Sequence, residues 1–217
     1  MILTSNDIVV PAHADITLLD TGATNHRITI SEGARVRLVS VFTQPRAVQR
    51  TIELVGKGAS YEEHDILVGT EKDEIAVTSD VTNAAPDTTT KVSMQGVLDG
   101  CAKASCVGNM KIIKGATKAD SRLSQHILLL SPEAKADTQP NLEIDENDVH
   151  AGHAATVRPI DQDSLFYLRS RGISEAEARR MLVLGFITPF LASLDAADKL
   201  MVLDTIEEKL DHAIATH

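Results

Sequence analysis

Apolar and polar residues alternate along most of the chain in short bursts, each closed by Gly, Asn, Asp, Ser or Pro. The clearest are ARVRLVSVF (34–42), RTIELVG (50–56), DEIAVTSDV (73–81), TTKVSMQGVL (89–98), NMKIIKG (109–115), SRLSQHILLL (121–130) and QPNLEI (139–144). A period of two between turn signals predicts short strands, and no helical period of useful length interrupts them from about residue 15 to about residue 160. The strands recur at near-regular spacing without an exact repeat. That is the trace left by a parallel β-helix or by a double-sheet barrel, and the local pattern leaves both open.

The pattern changes at about residue 161, where DQDSLFYLRSRGISEAEARRMLVLGFITPFLASL begins. Leu165, Phe166 and Leu168, then Ala178, Met181 and Leu182, recur at helical spacing. Asp161 or Ser164 caps the first helix, Gly172 suits its C′ position, and Ser174 with Glu177 fits the S-x-x-E capping box. A further amphipathic helix runs from about Asp195 to Ala215. The expected organisation is a β core over 1–160 and a helical subdomain over 161–217. Helices that do not alternate with strands cannot form βαβ crossovers, so they pack on the β core or meet another protein. Phe166, Tyr167, Met181, Phe186, Phe190 and Leu191 either pack the tail onto itself or form a docking surface.

Composition sharpens the fold choice. Aromatic residues make up 3% of the chain and Trp is absent, whereas a β-sandwich usually fills its core with rings. Stacked short strands fill a narrow interior with Val, Ile, Leu and Ala instead. The net charge of −10 argues against a nucleic-acid partner, which needs clustered Lys and Arg to displace counterions. The N-terminal segment has no basic region ahead of a long apolar run, and no stretch is long enough to span a bilayer, so a cytoplasmic protein without a membrane partner is expected. In that reducing compartment Cys101 and Cys106 are expected as free thiols, with a disulfide between them the lesser alternative.

Candidate chemistry centres on histidine and cysteine. In DVHAGHAATV (148–157), His150 and His153 stand three apart on a strand, so they point to opposite faces unless Gly152 bends the chain. Either His126 or His153 reads as a half-buried strand residue or as a metal ligand, and His150 as a solvated side chain. His64, behind Glu62 and Glu63, reads most simply as part of an acidic surface turn. Cys101 and Cys106 fall on opposite faces of a continuous strand, one of them buried; an exposed thiol of low pKa accepts sulfur or ligates iron. No G-x-x-x-x-G-K-[ST] phosphate loop occurs, so nucleotide chemistry must come from elsewhere.

LFYLRSRGISEAEARRMLVLGF (165–186), preceded by DVHAGHAATVRPID (148–161), strongly resembles the C-terminal signature of the SufB/SufD family of iron–sulfur cluster assembly scaffolds. GKGASYEEH (56–64) and the stretch 121–144 are similar to the family's β domain. The resemblance implies a right-handed parallel β-helix with a C-terminal α-helical subdomain, and a non-catalytic scaffold carrying a transient Fe–S cluster. It further implies dimerisation through the β-helix, a SufC-type ABC ATPase bound at the helical end, and a cysteine desulfurase as sulfur donor. SufB uses a cysteine on the strand that aligns with Gln125 and His126, and SufD a histidine that aligns with His153. By this resemblance His126 and His153 are the metal ligands, with Cys101 and Cys106 as further cluster candidates. Phe166, Tyr167, Arg169, Arg171, Met181 and Phe186 are the candidate partner-binding residues.

The family usually carries a long region ahead of the β-helix, which this chain lacks, so a minimal form and a homodimer are expected. His126 and His153 are 27 residues apart, a spacing compatible with side-chain contact between neighbouring coils. Two other functions compete. A cupin-type barrel presents two histidines and a carboxylate to one metal, though here the spacing is H-x-x-H where cupins use H-x-H. A β-helical interaction protein keeps the shape without the cluster chemistry.

Overall fold

The computed structural model describes residues 7–20, 25–192 and 194–214. Its β region consists of β1 (Asp7–Val10), β2 (Asp15–Asp20), β3 (Asn25–Ile30), β4 (Arg35–Phe42), β5 (Arg46–Leu54) and β6 (Ser60–Gly69). It continues through β7 (Glu74–Asn83), β8 (Thr89–Leu98), β9 (Lys103–Ile112), β10 (Asp120–Leu129), β11 (Lys135–Ile144) and β12 (His150–Pro159). Odd strands form one six-stranded sheet and even strands form the other. Every pairing is parallel and joins strands of successive coils, so the chain winds as a two-sheet β-solenoid. Such pairing excludes the double-sheet barrel, and the cupin reading with it, because an antiparallel barrel pairs strands in the opposite sense.

The register explains why no exact repeat is visible in the sequence. Cα partners stand 20 residues apart at the first coils, as in Asp15↔Arg35, and 32 apart at Lys103↔Lys135. Coil length grows mainly because the strands lengthen, from six residues in β2 and β3 to ten in β9 and β10, while the pairing stays in step. Alternate residues point into the lumen, where Leu18, Val36, Leu38, Phe42, Ile52, Leu54, Leu67 and Met94 are fully buried. The scarcity of rings follows: facing sheets of a flattened coil leave room for aliphatic ladders, and Phe42 and Tyr61 are the buried rings there.

Behind β12 come α1 (Gln162–Ser170), α2 (Glu175–Ile187), the 3₁₀ turn η1 (Thr188–Leu191) and α3 (Ala196–Ile214). Asp161 caps α1 by accepting from the Asp163 N–H, and Ser174 caps α2 by accepting from the Glu177 N–H. Gly172, at φ 89°, supplies the left-handed residue that ends α1. The tail lies on the outer face of the even-strand sheet. Val183, Ile187, Leu191, Val202, Ile206 and Leu210 meet Val39, Val41, Ile66, Val68, Val97 and Leu128 in a second apolar core. Polar ties reinforce it: Lys209 Nζ lies 2.7 Å from Asp73 Oδ2, and Arg179 donates to the Leu130 carbonyl at 3.2 Å.

Candidate functional site

β10 and β12 carry the two histidines singled out by sequence, and their register separates them. His126 pairs with Thr156 and His153 pairs with Leu123, so the histidines are three positions out of step on adjacent strands. Side chains of parallel partners share a face, which puts His153 on the luminal side with buried Leu123, and His126 on the outer side. Contact between them within one chain, expected from their spacing, is therefore ruled out by parity. β12 is continuous and His150 pairs with Asp120, so the rings of His150 and His153 take opposite faces, as their spacing predicts.

His153 faces the lumen yet is exposed, because the last coil has no successor to cover it. The same holds for Val157, 40% exposed on the luminal side of β12, and for Ile144 at the end of β11, 45% exposed. The solenoid thus ends in an open, apolar mouth bearing one imidazole, with the edges of β11 and β12 unpaired on their outer sides. Among the described residues no group of three or more His, Cys, Asp and Glu side chains is placed to hold a metal ion.

The cysteines divide as expected, but for a different reason. Cys101 sits in the turn ahead of β9 and is exposed, while Cys106 points into the lumen and is fully buried. Burial, reinforced by the nearby Asp65, pushes the Cys106 thiol up to about 12, so it is neither nucleophilic nor a ready iron ligand in the closed solenoid.

The feature that sequence reading missed lies deeper in the lumen. Arg50 is fully buried and its Nη1 donates to both Glu63 Oε1, at 2.7 Å, and Asp65 Oδ1, at 2.6 Å. Nη2 donates to Ser40 Oγ at 2.8 Å and reaches Asp20 Oδ2 at 3.4 Å, which also lies 3.4 Å from His26 Nε2. Tyr61 and Ser79 hydroxyls each donate to Glu63 Oε2 at 2.8 Å. Burial alone would raise Glu63, but Arg50 and these donors hold its carboxyl below the usual range. Asp65 goes the other way: burial, strengthened by the Glu63 charge against the pull of Arg50, holds it well above the usual carboxylate range. Of the two carboxyls, Asp65 is therefore the one that burial disposes to hold a proton, while Glu63 carries the charge paired with Arg50.

The acidic surface turn expected at Glu62, Glu63 and His64 is not there. These residues and Asp65 form the middle of β6, with Glu63 and Asp65 inward and His64 outward beneath the tail, 6% exposed. One signal could have found the cluster: Val48, Arg50, Ile52 and Leu54 alternate as luminal residues, and a cation in such a row demands buried counter-charges.

On the tail, Phe166 and Tyr167 of α1 are exposed at 74% and 56%, with Arg171 stacked over the Tyr167 ring at 5.2 Å and Arg169 paired to Glu175 at 3.2 Å. Met181 is exposed as well. Phe186 differs from them: it packs against the apolar core beneath the tail.

A family model described as the SUF system FeS cluster assembly SufBD core domain matches residues 17–186. The chain belongs to the SufBD family. Among curated SufBD relatives, the iron–sulfur cluster assembly protein SufD of Bacillus subtilis is 33% identical over 163 residues, covering 75% of this chain and 37% of that protein. Two SufBD family proteins of Mycobacterium tuberculosis are similar. One is 35% identical over 130 residues, covering 60% of this chain and 15% of its own length. The other is 33% identical over 179 residues, covering 78% of this chain and 45% of its own length. The chain spans less than half the length of each of these SufBD proteins. The matched region takes in the solenoid from β2 through the helix α2, so the open mouth, the buried cluster and α1 all fall inside it.

Proposed function

We propose that the chain is a non-catalytic scaffold subunit for Fe–S cluster assembly, with the cluster as its cargo. The observation that carries this reading is the match to the SufBD core domain over residues 17–186, in a chain whose strands form a parallel solenoid. The cluster site is the open mouth at β11 and β12. His153 is the first ligand there, and because one imidazole cannot hold a cluster, the remaining ligands come from a second copy docked on the same mouth as a homodimer. Exposed Ile144 and Val157 and the unpaired edges of β11 and β12 support that seam. Histidine in place of thiolate holds iron less tightly and suits a cluster that must be passed on. Cys101, exposed in its turn, is the thiol of the chain open to a persulfide from a cysteine desulfurase. A SufC-type ABC ATPase docks on α1 through Phe166, Tyr167, Arg169 and Arg171, with Met181 at the rim. The cytoplasm, where both thiols stay reduced, is the compartment this reading requires.

Anaerobic reconstitution with iron and sulfide tests the site, with iron and sulfide content and Mössbauer spectra as readouts. His153→Ala is expected to lose most of the bound iron, with His126→Ala, on the opposite face, affecting it less. Equal retention in wild type and both variants removes these histidines from the ligand set. The separation of His126 from His153 favours a second reading, a β-helical interaction protein without cluster chemistry, and the absence of any retained cluster in the wild type would select it. Co-purification with the ATPase tests the docking face: Phe166→Ala with Tyr167→Ala is expected to abolish it.

A further inference from the structure

The seam between the tail and the even-strand sheet holds two buried polar groups with unmade bonds. His64, on the outer face of β6, sets its Nε2 3.1 Å from Glu62 Oε1 and meets the Phe190 ring of η1 edge-on, at 5.7 Å between centroids and 62° between planes. Its Nδ1 is buried with no partner among the described residues. Gln95, one strand over on β8 and on the same face, since Ile66 pairs with Gln95 and His64 with Ser93, is buried with its Oε1 likewise unbonded. These two atoms lie at the footprint of the apolar cluster that fastens the tail, beside Val39 and Ile66. Closing the tail therefore costs unmade bonds that water would supply if it opened.

We propose that this seam is a proton-operated catch: acidification lifts η1 (Thr188–Leu191) from the even-strand sheet, and His64 is the group that takes the proton. With Nε2–H given to Glu62, a second proton must enter at Nδ1, where the described residues of the closed seam offer no acceptor; in the lifted state Nδ1–H meets water. The charges beside the ring are Glu62 on its own strand and Lys91 on β8, with Glu63 acting through the sheet from the luminal side, while η1 contributes the uncharged Phe190. Burial pushes His64 below its ordinary value of 6.5, and the pull of Glu62 does not restore it. A depressed imidazole favours the closed seam at higher pH. Closure weakens as pH falls below 6.5 and is fully weakened below the closed-state pKa. The inference stands apart from the cluster chemistry, and if α1 and α2 dock a partner it makes their footing pH-sensitive.

Hydrogen–deuterium exchange of the full chain at about pH 7.5 and about pH 5.5, corrected for intrinsic rates, tests it across the imidazole range. Amides of 186–192 are expected to exchange several-fold faster at the lower pH while those of β7–β9 keep their protection. His64→Phe, which keeps ring packing on Phe190, and His64→Gln, which keeps a donor for Glu62, should both erase that difference. Unchanged protection of 186–192 in the wild type, tightening on acidification, or a full pH response in both variants overturns the proposal.

Discussion

Arg50 donates from one nitrogen to two carboxylates inside the lumen, so removing it leaves buried acids without a counter-charge. Arg50→Leu is expected to lower stability by about 3–5 kcal/mol, the range for breaking a buried ion pair on one side, as read by urea unfolding. Asp65 makes a different prediction. Burial favours its protonated form in the fold, so the stability this contributes is fully present below the unfolded value of 3.8 and is lost as pH rises through the raised folded value. Asp65→Asn, which mimics the protonated form, should flatten that decline in chemical unfolding measured from mildly acidic to alkaline pH; an unchanged slope would refute the upward shift of the Asp65 carboxyl. Little of this was legible in sequence. Arg50 stands 13 residues from Glu63 and 15 from Asp65, and only the coil brings them together.

At the level of elements, the strands and caps follow from local chemistry, and so do the limits on substitution. Seven of the strands were legible from period-two runs and their turn residues. β6 was hidden, because its luminal row places Glu63 and Asp65 where the pattern expects apolar side chains. Ser174 and Gly172 were readable as cap and stop because both act within a few residues of chain. Coil stacking was not. A Cβ on Gly56 would fall 1.9 Å from the backbone nitrogen of Glu32 in the turn below, a contact between residues 24 apart. Gly56→Ala must push two coils apart, and a loss of roughly 1–3 kcal/mol in thermal or urea unfolding is expected, the usual range for backbone clashes.

For the whole molecule, the solenoid and the tail answer different needs. The lumen closes itself coil by coil, while the outer face of the even-strand sheet is apolar at Val39, Val41, Ile66, Val68, Val97 and Leu128 and is closed only by the helices. The last coil has no such cover. Val157→Asp with Ile144→Asp is expected to turn the proposed homodimer into a monomer in sedimentation velocity without loss of β structure by circular dichroism; an unchanged mass would move the seam elsewhere. Sequence alone determined the succession of strands and then helices, the helix caps, the ring-poor interior and the family likeness, because period, turn chemistry and capping act over a few neighbouring residues. Tertiary structure decided the rest. Register between coils, whose steps vary from 20 to 32 residues, placed His126 and His153 on opposite faces, gathered Arg50, Glu63 and Asp65 in the lumen and slid His64 beneath the tail. A shift of one residue in that register reverses every side chain, and no local pattern fixes it.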